Sequence, residues 1–185
     1  MESMVDYFFE LGQLKRTPRS GWSLTGVAQP ESVAEHSYRT ALIAYALAVE
    51  EGLNAPHAAC LALVHDTAEA RVGDLHHLAR RSVDWDGVEE RASKDQLARL
   101  PVPLRDRLSG LFGEAGEKQS PEAVVAKDAD LLECLMQACE YRALGHPVDE
   151  WIESSRNALR TDAARRIAAA AVEAPVDRWR RPERA

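Results

Sequence analysis

The stretch that decides the fold is residues 60–74, CLALVHDTAEARVGD. Leu61, Leu63 and Val64 give it the apolar spacing of a helix with one buried side. Neighbouring helical residues point about 100° apart, so His65 and Asp66 cannot both hide on a polar outer face. Two ionisable groups beside a core are costly unless something compensates them. A divalent cation does so directly, with imidazole and carboxylate as ligands. The helix is expected to run from Pro56 to about Arg71 and to break at Gly73. Glu69, four residues after His65, then lies on the same face one turn along. The alternative for Glu69 is an ordinary i,i+4 surface carboxylate.

Working outward, Ser32 with Glu35 three residues on is a capping box. It starts a helix running to about Glu50 and stopping at Gly52. His36 falls in its first turns, between Val33 and the apolar run 41–47. A third helix, from Pro121 to about Leu144, carries Asp130 among Val125, Leu131, Leu132 and Leu135. Asp128 competes with Asp130 for a ligand role. Read in order, His36, His65-Asp66 and Asp130 bring four ligands from three helices, an octahedral set with two positions open. His76 and His77 sit together in a stretch expected to be loop, 74–84, and a mononuclear site is preferred over a two-metal one. His57 and His146 are expected to face solvent.

The rest of the chain is also helical, with no alternating strand pattern. Val5, Phe8, Phe9 and the run 11–14 form a first amphipathic helix. A loop follows over 16–30, punctuated by Pro18, Gly21, Gly26 and Pro30, and it exposes a cation at Arg19 and an indole at Trp22. Further helices are expected at 86–100, in a short piece ending near Phe112, after Pro147, and after Thr161. A flexible linker is read at 113–122. The expectation is an all-α orthogonal bundle of about six or seven helices. It forms a single domain over 1–174, followed by a polar, frayed tail at 175–185.

The 185 residues suit one core, and 45% hydrophobic with 29% charged residues is ordinary for a globular protein. A net charge of −7 argues against a duplex nucleic-acid binder. A small anionic substrate remains compatible, because a bound cation reverses the local potential. The acidic, amphipathic start does not resemble a signal peptide, and the longest apolar run is too short to span a bilayer. A cytoplasmic protein without membrane partner is therefore expected. Cys60, Cys134 and Cys139 lack metal-binding spacing and read as buried thiols. No Walker loop, G-x-S-x-G elbow or dinucleotide-binding glycine motif occurs.

The runs LGQLKRTPRSGW, PESVAEHSYR, LALVHDTAEARVGD and KDADLLECLMQACEY together resemble the HD superfamily of metal-dependent phosphohydrolases. Within it they are most similar to the HD-domain 5′-deoxynucleotidases, in the same order and over residues 11–145. The resemblance implies an HD-domain fold and one divalent ion held by His36, His65, Asp66 and Asp130. Co, Mn, Fe, Ni and Zn all suit such ligands, and Mg is compatible. It implies Glu69 and Asp74 as catalytic carboxylates, and Arg19 and Trp22 as the residues that hold the nucleotide. Arg19 would fork onto phosphate, and Trp22 would disfavour a ribose 2′-hydroxyl. This chain has two residues between Arg19 and Trp22, where bacterial members can have none. The alternative for Trp22 is a cap on the core. A homodimer is also implied, with the helix after Pro121 as one source of an interface. The rival activities are phosphodiester or triphosphate hydrolysis, di-iron oxygenation, or nucleotide binding without turnover.

Overall fold

The computed structural model describes residues 1–180. Ten α-helices form among them: α1 (Glu2–Leu11), α2 (Val33–Glu50), α3 (Ala55–Val64), α4 (Glu69–Val72) and α5 (His77–Arg80) in the first half. In the second half come α6 (Trp85–Leu97), α7 (Val102–Glu117), α8 (Pro121–Ala143), α9 (Asp149–Ala158) and α10 (Asp162–Glu173). Short 3-10 turns occupy Gly12–Lys15, Ser20–Thr25 and Arg178–Arg180. Among the described residues the only β-type pairing is an isolated antiparallel bridge between Pro18 and Ser32. The all-α expectation holds, with more and shorter helices than the six or seven read from periodicity. The last five residues of the expected tail lie outside the described region.

Local chemistry sets the main boundaries. Ser32 Oγ accepts from the Glu35 N–H at 3.2 Å, and the Glu35 carboxylate accepts from the Ser32 N–H at 2.7 Å, so the capping box forms. Asn54, Ser120 and Thr161 cap α3, α8 and α10 in the same manner. Gly52 and Gly145 follow α2 and α8 with φ of 71° and 94°, where a side chain would be strained.

Helix α8 is the centre of the bundle. Val125, Ala129, Leu132, Leu135 and Ala138 on it have no exposed surface, and it packs against α2, α3, α9 and α10. A helix so enclosed is a poor source of the dimer interface suggested for it. A smaller cluster of Tyr7, Leu97 and Leu100 joins α1, α6 and α7. A cavity of about 820 Å³ opens between the two clusters, touching Leu61 and Ala126 on one side and Leu97 and Phe112 on the other.

Several sequence expectations are corrected. The helix read through 56–71 stops at Val64 and resumes for one turn at Glu69, because the Thr67 N–H and hydroxyl both take the Val64 carbonyl. Helix α7 continues past Phe112 to Glu117, through the expected linker. There Glu114 accepts from the Ser120 hydroxyl at 2.6 Å and meets His57 Nε2 at 2.9 Å, which offsets the helix cost of Gly113 and Gly116. His57 is thus a contact between helices and not a free surface group. Helix α1 buries Tyr7 and leaves Val5, Phe8 and Phe9 exposed, the reverse of the face expected to be buried. Of the cysteines, Cys139 is buried, Cys134 half-buried and Cys60 exposed on the outer face of α3. The described residues contain no helix long and apolar enough to cross a membrane.

Candidate metal centre

Four elements converge beside the cavity, and three of the residues they carry, His65, Asp66 and Asp130, line its wall. His36 comes from the second turn of α2 and has no exposed surface. His65 is the residue that ends α3, and Asp66 follows it in the tight turn. Asp130 projects from α8. The ligand atoms of His36, His65 and Asp66 lie within 4.8 Å of one another. His36 Nε2 stands 3.6 Å from Asp66 Oδ2 and 3.2 Å from Asp130 Oδ1. His65 Nε2 stands 3.1 Å and 3.8 Å from the same two oxygens.

The tautomers follow from the partners of the other ring nitrogen. His36 Nδ1 is 2.5 Å from Glu133 Oε2, and His65 Nδ1 is 2.6 Å from the Ala62 carbonyl. Both partners are acceptors, so each Nδ1 carries a proton and Nε2 is the nitrogen that each ring turns toward the carboxylates. Both Nε2 atoms are buried without a hydrogen-bond partner. Two orphaned imidazole nitrogens beside two carboxylates fit one divalent cation.

The charges around the centre are balanced by named groups. Burial works against ionisation of Asp66, but His65, Arg19 and His36 together hold its carboxyl below the usual range. Burial likewise opposes ionisation of Asp130, and Lys127 with both histidines holds it well below. The Lys127 Nζ sits 2.6 Å from Asp130 Oδ2, leaving Oδ1 toward the rings. Asp128 does something else. It is fully buried and accepts from the N–H groups of Arg160 and Thr161 and from the Thr161 hydroxyl. The geometry separates the two aspartates: Asp128 ties the start of α10 to α8, and Asp130 faces the histidines.

The remaining expected residues surround this wall. Glu69 is 1% exposed, with Oε1 at 3.5 Å from Arg80 and Oε2 buried without a partner. Burial, then the charges of Asp66 and Asp74, push its carboxyl up to about 10. Arg19 reaches Asp66 Oδ2 at 3.4 Å and lines the cavity. It is placed by the backbone, since its N–H donates to the Glu31 carbonyl at 2.9 Å in the bridge beside α2. Asp74 accepts from the Ser20 N–H at 2.5 Å, which fastens the loop carrying Arg19 to the turn carrying the carboxylates.

Trp22 is not the bare indole its loop suggested. It is 2% exposed, donates from Nε1 to Glu31 at 3.0 Å, and packs edge-on against Tyr141 at 5.1 Å. Trp151 of α9, 6.1 Å away, lines the cavity with it. His76 caps α5 through the Ala79 N–H, and His77 packs against Trp151 at 6.0 Å, so neither joins the cluster. His146 lies edge-on to Tyr141, partly buried. Cys134 borders the cavity, but burial pushes its thiol up to about 12, far from a reactive thiolate.

Glu133, Lys127, Arg39 and Arg80 were not singled out in the sequence. A signal existed for two of them. Lys127, Asp130 and Glu133 recur every third residue on a helix otherwise built from Ala, Val and Leu, a polar stripe that points to one face.

The chain is similar to several known proteins. The HD-domain family profile matches residues 11–170. Human 5′-deoxynucleotidase HDDC2 is 39% identical over 145 residues, covering 78% of this chain and 71% of its own length. The 5′-deoxynucleotidase YfbR of Salmonella arizonae is 31% identical, covering 76% and 74%. Among solved structures, a Pyrococcus horikoshii protein superimposes with a TM-score of 0.77 at 30% identity, over 91% of this chain and 98% of that one. An HD-domain phosphohydrolase of Listeria innocua does so with a TM-score of 0.68 at 25% identity, over 91% and 83%. With its doublet of His65 and Asp66 at the heart of the cluster, the chain belongs to the HD-domain family.

Proposed function

We propose that the chain is a metal-dependent 5′-deoxynucleotidase, converting deoxynucleoside 5′-monophosphates to deoxynucleosides and phosphate. One observation carries the reading. The orphaned Nε2 atoms of His36 and His65 meet the carboxylates of Asp66 and Asp130 beside a cavity that Arg19 lines, and Glu69 is buried next to Arg80 of the same lining. When bound there, a divalent ion supplies Lewis-acid polarisation and lowers the pKa of water. Mn, Co, Fe, Ni and Zn suit the donor set, with Mg as the harder alternative.

The chain's own groups do the rest. Arg19, held charged by Asp66, Asp130 and Asp74 against its burial, binds the phosphate. Glu69 holds or delivers a proton, to or from water and the leaving sugar oxygen. Asp74 keeps the Arg19 loop closed on the site through Ser20. Trp22 shapes the cavity from beneath, with Trp151 as its neighbour on the wall, and this pair is the source of any preference against a 2′-hydroxyl. The relatives named 5′-deoxynucleotidase support the substrate class.

The test is phosphate release from paired deoxy- and ribonucleoside 5′-monophosphates with Co²⁺ or Mn²⁺ added. Turnover that favours the deoxy member of each pair is expected. A chain that binds the ion and releases no phosphate from any of them would not be this enzyme.

The reading includes a single domain over residues 1–174, a cytoplasmic location and a homodimer. The face suited to a second copy is on α2, where exposed Tyr38, Leu42, Tyr45 and Val49 recur in steps of four, three and four. Light scattering should give twice the chain mass, and Leu42→Glu should give a monomer. A parent chain that is monomeric at micromolar concentration removes the dimer and leaves the activity untouched.

A further inference from the structure

His36 and His65 present the same nitrogen to the site, yet their rings are held differently. His65 Nδ1 is served by the Ala62 carbonyl, three residues back on its own helix. His36 has no such partner, because the corresponding Val33 carbonyl is taken by the Ser37 hydroxyl at 2.8 Å. A side chain from another helix fills the gap. Glu133 of α8 approaches His36 Nδ1 at 2.5 Å, and neither side chain has any exposed surface.

A buried carboxylate is unfavourable unless it is paired and hydrogen-bonded. Here the second oxygen is claimed by Arg39, whose Nε and Nη2 stand 2.9 and 2.7 Å from Glu133 Oε1. Arg39 is itself held by Gln137 and Glu140, both at 2.8 Å. For packing alone a leucine would serve at this place on α8. The charge is explained by its work on the imidazole.

We infer that Glu133, anchored by Arg39, is a positioning residue that locks His36 in its Nδ1–H form and aims Nε2 at the metal. The inference rests on the metal-dependent reading of the site, and it assigns no contact with substrate. Outer partners of this kind typically change metal affinity about 10- to 100-fold. The two histidines are therefore unequal ligands, and the α2 side of the site depends on a link that the α3 side does not need.

The experiment is calorimetric titration of Co²⁺ into the metal-stripped full chain, with ¹⁵N shifts of His36 recorded in the Zn²⁺-loaded protein. Glu133→Ala should weaken Co²⁺ binding about 10- to 100-fold and remove the Nδ1–H signature of His36. Glu133→Gln keeps an acceptor oxygen and the shape of the side chain, so it should fold and recover part of the affinity. Arg39→Met should weaken binding less than Glu133→Ala does. At saturating Co²⁺, kcat should fall and KM should stay, since substrate is not touched. Affinity and ¹⁵N shifts equal to the parent's in Glu133→Gln and Arg39→Met would overturn the inference. Because affinity is read without nucleotide, a parent chain that binds Co²⁺ but hydrolyses nothing would count against the proposed activity alone.

Discussion

The seam between α2 and α8 and the pair of short segments facing it build one site by opposite means. Along the seam, His36 and Asp130 project from the second turn of an 18-residue helix and the middle of a 23-residue one. Each is held by a buried or half-buried charge, Glu133 for His36 and Lys127 for Asp130. On the other side, His65, Asp66, Glu69, Arg19 and Asp74 ride on a turn, a one-turn helix and a 3-10 loop. These are fastened by bonds that each use a backbone group: the Arg19 N–H to the Glu31 carbonyl, the Ser20 N–H to the Asp74 carboxylate, and His65 Nδ1 to the Ala62 carbonyl. In the proposed reading the long helices place two of the ligands, His36 and Asp130, and the short segments supply the other two together with the groups that meet a substrate. Rigid elements suit ligands that tolerate little displacement, whereas loops suit binding and proton transfer.

The comparison is broken most completely by removing a ligand from the seam. His36→Ala or Asp130→Ala should abolish metal binding, and with it phosphate release, down to the level of the metal-stripped parent. Metal content after dialysis and phosphate release in excess Co²⁺ check this. Retained metal in Asp130→Ala would mean that the seam is not where the ion is held. On the segment side, Glu69→Gln should leave the metal in place and lower kcat by about 10²- to 10⁴-fold. Metal loss in that variant would place Glu69 among the ligands instead.

Arg19→Lys sharpens the same contrast with a smaller effect. A lysine keeps the charge but loses the two-pronged geometry, so kcat/KM should drop roughly 10- to 100-fold with metal affinity unchanged. The smallest effect on the site comes from Asp128→Ala, whose carboxylate turns away from the histidines to Arg160 and Thr161. It strips the Arg160 and Thr161 donors of their buried acceptor and should cost about 3 kcal/mol of stability. Metal affinity, measured below the unfolding transition, should match the parent's. If Asp128→Ala lost metal while Asp130→Ala kept it, the two roles would have to be exchanged.

How much of this was legible in the residues differs between the two sides. The helices of the seam were readable because their caps are local: Ser32 with Glu35, Ser120 with Pro121, Gly52 and Gly145 beyond the ends. His36 and Asp130 stood out as ionisable groups among Ala, Val and Leu. The turn at 65–69 was hidden, since side-chain bonds from His65 and Thr67 back to Ala62 and Val64 compete with helix continuation and leave the apolar spacing intact. Trp22 was misjudged for a related reason. Its burial depends on Tyr141 and Trp151, more than a hundred residues away, and no local pattern announces them. Asp128 and Asp130 differ in the same way: only the packing of α10 on α8 shows which one is spoken for. Glu133 was overlooked although its three-residue step from Asp130 was in view, because its partner, Arg39, lies on another helix.

The most direct test of the central claim is a stoichiometric titration of Co²⁺ into the metal-stripped chain, followed by phosphate release from a deoxynucleoside 5′-monophosphate. Activity should rise in proportion to added ion and level off at one equivalent per chain, and Asp66→Ala should stay flat throughout. One equivalent bound without phosphate release, or activity that appears only with a second equivalent, would contradict it.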